Sequence, residues 1–97
     1  EEMIPAHDFC MMNGVEISFL YALSESGLLQ FNMIEQVDHI SSDQLPGLEK
    51  CVRLHYDMGI NVEGIEAVQH LLEQIRTMQE EMNLLRSRLA IYEHTDL

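Results

Sequence analysis

Four residues of this 97-residue chain have spacings that suit a metal ion. His7 and Cys10 lie three apart and Cys51 and His55 lie four apart, so a Cys2His2 zinc site can be drawn. It would require all four side chains to converge tetrahedrally. The commoner outcome is two thiols packed in apolar surroundings and two surface histidines, so no metal is assigned. His39, His70 and His94 have no companions at ligand or catalytic spacing and read as surface residues. The sequence carries no P-loop, nucleophile elbow, Gly-rich dinucleotide loop or clustered acid pair, so neither an enzyme nor a cofactor is expected. The seven methionines read as flexible core fillers rather than an adaptable binding surface.

Charge is the second signal. Five Lys and Arg against seventeen Asp and Glu give a formal charge of -12, and residues 1–49 hold nine acids without one Lys or Arg. Such a surface repels phosphate backbones and anionic membranes and favours a basic partner. Solubility is the other reason to carry acids. Asp8, Glu16 and Glu25 on the first two helices are the acids assigned to a basic partner, with a solvated polar face as the alternative. Cys10 and Cys51 lack framework spacing and suit reduced core thiols in the cytosol. No stretch approaches the ~20 apolar residues needed to span a bilayer, and no basic-then-apolar leader is present. A soluble, cytoplasmic protein is expected. Opening at Glu1 rather than Met is consistent with a start lying upstream.

The elements that hold these residues can be placed from turn and capping signals. Met3 and Ile4 suit a short opening strand, and Pro5 opens a first helix to about Met12 whose buried side is Phe9, Cys10 and Met12. Asn13 and Gly14 end it and Val15 begins a tight turn. A second helix, about Glu16 to Ser26, places Ile17, Leu20 and Leu23 on one face before Gly27 stops it. Two short helices around a Gly-containing turn match a helix-turn-helix. Leu29 and Phe31, then Val37 and Ile40, suggest two short strands around a Glu35–Gln36 turn, a small wing without an Asn-Gly signal. Ser41, Ser42 and Asp43 are capping residues for a third helix, about Gln44 to Met58, with Pro46 in its first turn and Leu45, Leu48, Val52 and Tyr56 on its inner side. Gly59 is a left-handed stop with Ile60 as its apolar contact. Asn61 caps a last, long helix, with Glu63 at the positive end of its dipole.

From Asn61 to Glu93 the chain reads as one helix. Val68, Leu71, Ile75, Met78, Met82, Leu85, Leu89 and Tyr92 keep a seven-residue apolar repeat, the pattern of a coiled-coil seam. At about 1.5 Å per residue the segment is roughly 48 Å long, against a radius of gyration of about 13 Å for a compact 100-residue domain. An amphipathic helix lying on its own core is the simpler alternative, and length argues against it. A second copy is the expected cover. With Val68 at position a, Glu81 and Arg88 fall at g and Arg86 at e. A parallel pair would join Glu81 to Arg86 and an antiparallel pair Glu81 to Arg88, so the direction stays open. The expected organisation is a body over residues 1–60 and a dimerisation helix over 61–97.

Two stretches resemble known families. "DFCMMNGVEISFLYALSESGLL" resembles the opening helix-turn-helix of MerR-like proteins. "CVRLHYDMGINVEGIEAVQHLLEQIRTMQEEMNLLRSRL" is similar to the C-terminal half of the CbpM chaperone-modulator family, most specifically in Arg53, Leu54, Gly59, Ile60, Asn61, Gly64 and Ile65. One departure is Val62-Glu63, where members of that family commonly carry Trp-Pro. The resemblance implies a mainly α fold, a MerR-like winged helix-turn-helix body with a long C-terminal coiled-coil helix. It also implies a non-enzymatic inhibitor of a DnaJ/CbpA-like J-domain co-chaperone, bound at the basic helix which that domain presents to Hsp70. The alternative is a dimeric MerR-like transcription regulator that reads DNA through its second helix and wing. Where those proteins usually have Arg-Tyr-Tyr this chain has Tyr21, Ala22 and Leu23, and neither helix nor the wing holds a Lys or Arg, which disfavours direct DNA binding.

Overall fold

The computed structural model describes residues 2–95; Glu1 and the end of the expected C-terminal segment, residues 96–97, lie outside the described residues. The chain divides into two compact units, Glu1–Glu66 and Ala67–Leu97.

In the first unit, β1 (Met3–Pro5) leads into α1 (Ala6–Asn13) and α2 (Ile17–Glu25), followed by β2 (Asn32–Ile34) and β3 (Val37–Ser41). A 3-10 turn (Ser42–Gln44), α3 (Leu45–Val52) and a π-helical turn (Arg53–Asp57) precede α4 (Val62–Thr95), whose first turn belongs to this unit. The sheet has the order β1-β3-β2, antiparallel throughout, with Ile4 opposite Ile40 and Ile34 opposite Val37. Its core gathers Phe9 and Cys10 from α1, Phe19, Leu20 and Leu23 from α2, Ile40 from β3, Leu48 and Cys51 from α3 and Ile65 from α4.

The local stops are the expected ones. Gly14, Gly27 and Gly59 all adopt positive φ, and each is followed by an apolar residue whose N–H reaches back into the helix: Val15 to the Cys10 carbonyl, Leu28 to that of Leu23 and Ile60 to that of Leu54. The β2–β3 turn falls at Glu35–Gln36 as expected, although β2 begins only at Asn32, after the expected strand residues Leu29 and Phe31. Glu35 and Gln36 both lie in the left-handed region, as a two-residue type I′ hairpin requires, although neither is Gly or Asn.

Several side chains depart from expectation. Met12 is 82% exposed, because α1 buries Ala6, Phe9 and Cys10, and two residues beyond Cys10 the helix has turned about 200° away. Ile17 sits at the edge of the α2 apolar face and is exposed, while Phe19 takes the expected core place. The third helix is α-helical only over Leu45–Val52 and runs on as the π-turn to Asp57, close to the expected end, with Tyr56 exposed rather than on the inner side. Ser41 makes no side-chain capping bond at the 3-10 turn; its hydroxyl accepts from the Gln44 amide instead. Gln44 also pairs with both backbone groups of Gln30, fixing the α2–β2 loop to the start of α3.

The second unit is the helical run of α4 from Ala67 onward. Among the described residues, no helix is long and apolar enough to cross a membrane.

Candidate partner-binding surfaces

The Arg53–Ile65 run, the most distinctive stretch of sequence, builds an elbow. The π-turn lets consecutive side chains serve the body: Leu54 packs against the core, His55 stacks on Phe19 at 4.4 Å between centroids, and Tyr56 meets the same ring edge-on at 5.5 Å. His55 is therefore a packed residue and not the surface histidine expected. Its Nδ1 donates to the Ile60 carbonyl at 2.8 Å, since a carbonyl only accepts. The Tyr56 hydroxyl accepts the Glu16 backbone N–H at 3.1 Å, satisfying a donor at the start of α2. Asn61 caps α4 through its Oδ1, which accepts from the Gly64 N–H at 2.8 Å. Gly64 has no room for a side chain, because a Cβ there would lie 2.7 Å from Ile60 Cγ2 and 3.0 Å from Asn61 Oδ1. Packing and capping within the body account for Leu54, His55, Tyr56, Ile60, Asn61 and Gly64.

The drawn zinc set does not assemble. Cys10 and Cys51 are core residues, burial pushes the Cys10 thiol above its usual pKa, and His55 is committed to Ile60 and Phe19. Among the described residues no three His, Cys, Asp or Glu side chains are grouped to hold a metal ion. His39 is engaged within its own strand, its Nδ1 donating to the Val37 carbonyl at 2.8 Å.

Asp8, Glu16 and Glu25 are all exposed. Asp8 lies in the first turn of α1, Glu16 is the residue before α2, and Glu25 ends α2. Nine helical residues make two and a half turns, so Glu16 and Glu25 stand at opposite ends and on opposing sides of α2. The three acids do not form one cluster.

What the fold does bring together is a groove between the helix-turn-helix and the wing. Ala6, Ile17, Tyr21 and Val37 line it with His7, Gln36 and Asp38, around a volume of about 280 Å³. Tyr21 is held from behind by Phe31, edge to face at 5.6 Å. Neither Ile17 nor Val37 was recognisable as a groove residue from periodicity, because each also fits the apolar side of its own element. Only their distance from the core alternation distinguishes them.

The second surface is the α4 seam. Leu71, Ile75, Met78, Met82, Leu85, Leu89 and Tyr92 are 49–71% exposed, and Val68 is half-buried. Three apolar residues outside the repeat, Leu72, Leu84 and Ile91, are exposed as well. Leu72 adjoins the seam at position e, whereas Leu84 and Ile91 recur seven apart at position c.

The order helix-turn-helix, wing and long terminal helix defines a class of regulatory protein. Residues 4–87 match the MerR HTH family regulatory proteins, and the chain belongs to that family. Its fold is the mainly α, MerR-like winged helix-turn-helix body with a long C-terminal helix. No curated protein and no solved structure matches the chain.

Proposed function

We propose that this MerR-family chain is a non-enzymatic regulator that binds protein rather than DNA, restraining a J-domain co-chaperone by occupying its basic face. The observation that carries the reading is the character of the surface around α2 and the wing. It exposes Ile17, Tyr21 and Val37 among acids, in a segment of 49 residues without a single Lys or Arg. Phosphate neutralisation supplies most non-specific DNA affinity, so this surface has little with which to hold a duplex. A basic helix would be drawn to it, chiefly through a faster on-rate. The likeness of the Arg53–Ile65 run to the chaperone-modulator family supplies the J-domain as the particular partner.

The protein would act as a homodimer joined along α4. The exposed seam supports this, since each apolar side chain left in water forgoes about 1.5–3 kcal/mol. Asp8, Glu16 and Glu25 would contribute at the rim, from separate places rather than as one patch.

The family match also favours a second reading, a dimeric DNA-binding regulator. Titration against a J-domain at low and high salt, beside a shift assay with operator DNA, separates the two. The expected result is J-domain binding that weakens as salt rises, because exposed pairs are screened over about 8–10 Å at 0.1–0.15 M. DNA affinity should be no tighter than about 10⁻⁴ M at physiological salt. A DNA shift at nanomolar protein would reinstate the transcriptional reading.

A further inference from the structure

The groove between α2 and the wing has a size and a charge that specify its occupant. At about 280 Å³ it lies just below the range of roughly 300–1,000 Å³ over which small-molecule pockets form. It is about twice a cavity of ~150 Å³ that holds one benzene ring, so it accommodates one or two large side chains. Its walls are apolar and half-exposed: Ile17 and Tyr21, one helical turn apart on α2, face a hairpin that contributes Val37. Asp38 is the acid in the lining, with His7 as its other titratable side chain, and Glu16 and Glu35 precede the lining residues Ile17 and Gln36 in the sequence. The turn that brings Gln36 to the rim holds two non-glycine residues at positive φ, a conformation costing roughly 1–2 kcal/mol per residue, and such outliers cluster at ligand clamps.

We propose that this groove anchors one apolar residue of a basic amphipathic helix in the partner, with the acids around it pairing the flanking cations. The proposal rests on the protein-binding reading above and deepens it. The apolar contact sets the lifetime of the complex and the acids set its rate of formation. An amphipathic helix in a groove is a recurrent mode of recognition, read through anchors three and four residues apart. An extended peptide would instead add to a sheet edge, and the two edge strands, β1 (Met3–Pro5) and β2 (Asn32–Ile34), offer only three residues each.

The test is nuclear magnetic resonance on the full chain with two probes. One is a J-domain and the other a synthetic amphipathic Leu/Lys helix of about 18 residues, long enough to be helical when bound. Both should shift the amides of Ala6, Ile17, Tyr21, Gln36, Val37 and Asp38. Val37→Asp should weaken both by at least about tenfold, the order expected for losing one buried valine contact, and the loss should persist at high salt. Val37→Ala, which adds no charge and shortens a half-exposed side chain, should weaken them by a few fold. J-domain binding that is indifferent to both Val37 variants would overturn the groove and leave the co-chaperone reading standing. Binding of the Leu/Lys helix in the groove without any J-domain binding would keep the groove and remove the co-chaperone. Shifts confined to Asn32–Ile34 or to α4, or no binding of either probe, would overturn the proposal.

Discussion

The two units carry the same kinds of side chain at the same helical spacing and use them differently. In the body Phe9, Phe19, Leu20, Leu23, Leu48 and Ile65 are at most 5% exposed, whereas along α4 from Leu71 to Tyr92 comparable residues are 39–71% exposed. Periodicity thus defines the element but not what covers it. In the body the cover is local, because β1, the wing and α3 return the chain onto the same core. Along α4 the apolar repeat is exposed, and the proposed second copy would cover it. The body has an uncovered face of its own, the groove, and there the apolar residues are few and rimmed by acids.

This contrast can be broken first in the core. Leu23→Ala removes a fully buried side chain and should cost about 2–5 kcal/mol, read as a lower midpoint in urea unfolding. Leu84→Ala, exposed and outside the seam, is the matching control and should stay within about 0.5 kcal/mol. Next comes the seam. Replacing Met82 and Leu85 with Glu should convert a dimer to a monomer in sedimentation and abolish any dependence of Tm on protein concentration, with the body still folded. Sedimentation of the unchanged protein as a monomer at tens of micromolar, well above the ~1 μM scale of stable association, would remove the dimer from the account.

Smaller effects belong to the elbow. Gly64→Ala gains about 1 kcal/mol of helix propensity but drives its Cβ into the stiff Ile60 side chain, where overpacking costs typically 1–3 kcal/mol. A net loss of about 1 kcal/mol is expected in thermal unfolding, and a gain would show that Ile60 yields freely. Asn61→Ala should lose about 1 kcal/mol with its cap. At the wing tip the sign reverses: replacing Glu35-Gln36 with Asn-Gly should stabilise the hairpin by about 1 kcal/mol, because those residues accept left-handed backbone more readily.

The features legible in the sequence are those that depend on near neighbours along the chain. Gly14, Gly27, Gly59 and Asn61 act on residues within a turn or two, so their roles were legible, as was the place of the Glu35–Gln36 turn between two apolar runs. The π-turn was not, since nothing local in Arg53–Asp57 announces a widened helix. Its cause is tertiary: His55 and Tyr56 both engage Phe19, a residue more than thirty positions away. The same limit explains Ile17 and Met12, whose spacing fits a buried face that the short helices do not extend to cover. Of the candidate sites, the seam lay in the periodicity, while the groove depends on how the hairpin meets α2.

The central claim, a regulator that masks a basic J-domain face, is tested most directly by the ATPase activity of an Hsp70 stimulated by a J-domain co-chaperone. Adding this protein should lower the stimulated rate towards the basal one. Reversing Asp8, Glu16 and Glu25 to Lys should relieve that inhibition by slowing association, and should do so most at low salt. An unchanged stimulated rate at protein concentrations well above those of the co-chaperone would contradict the account.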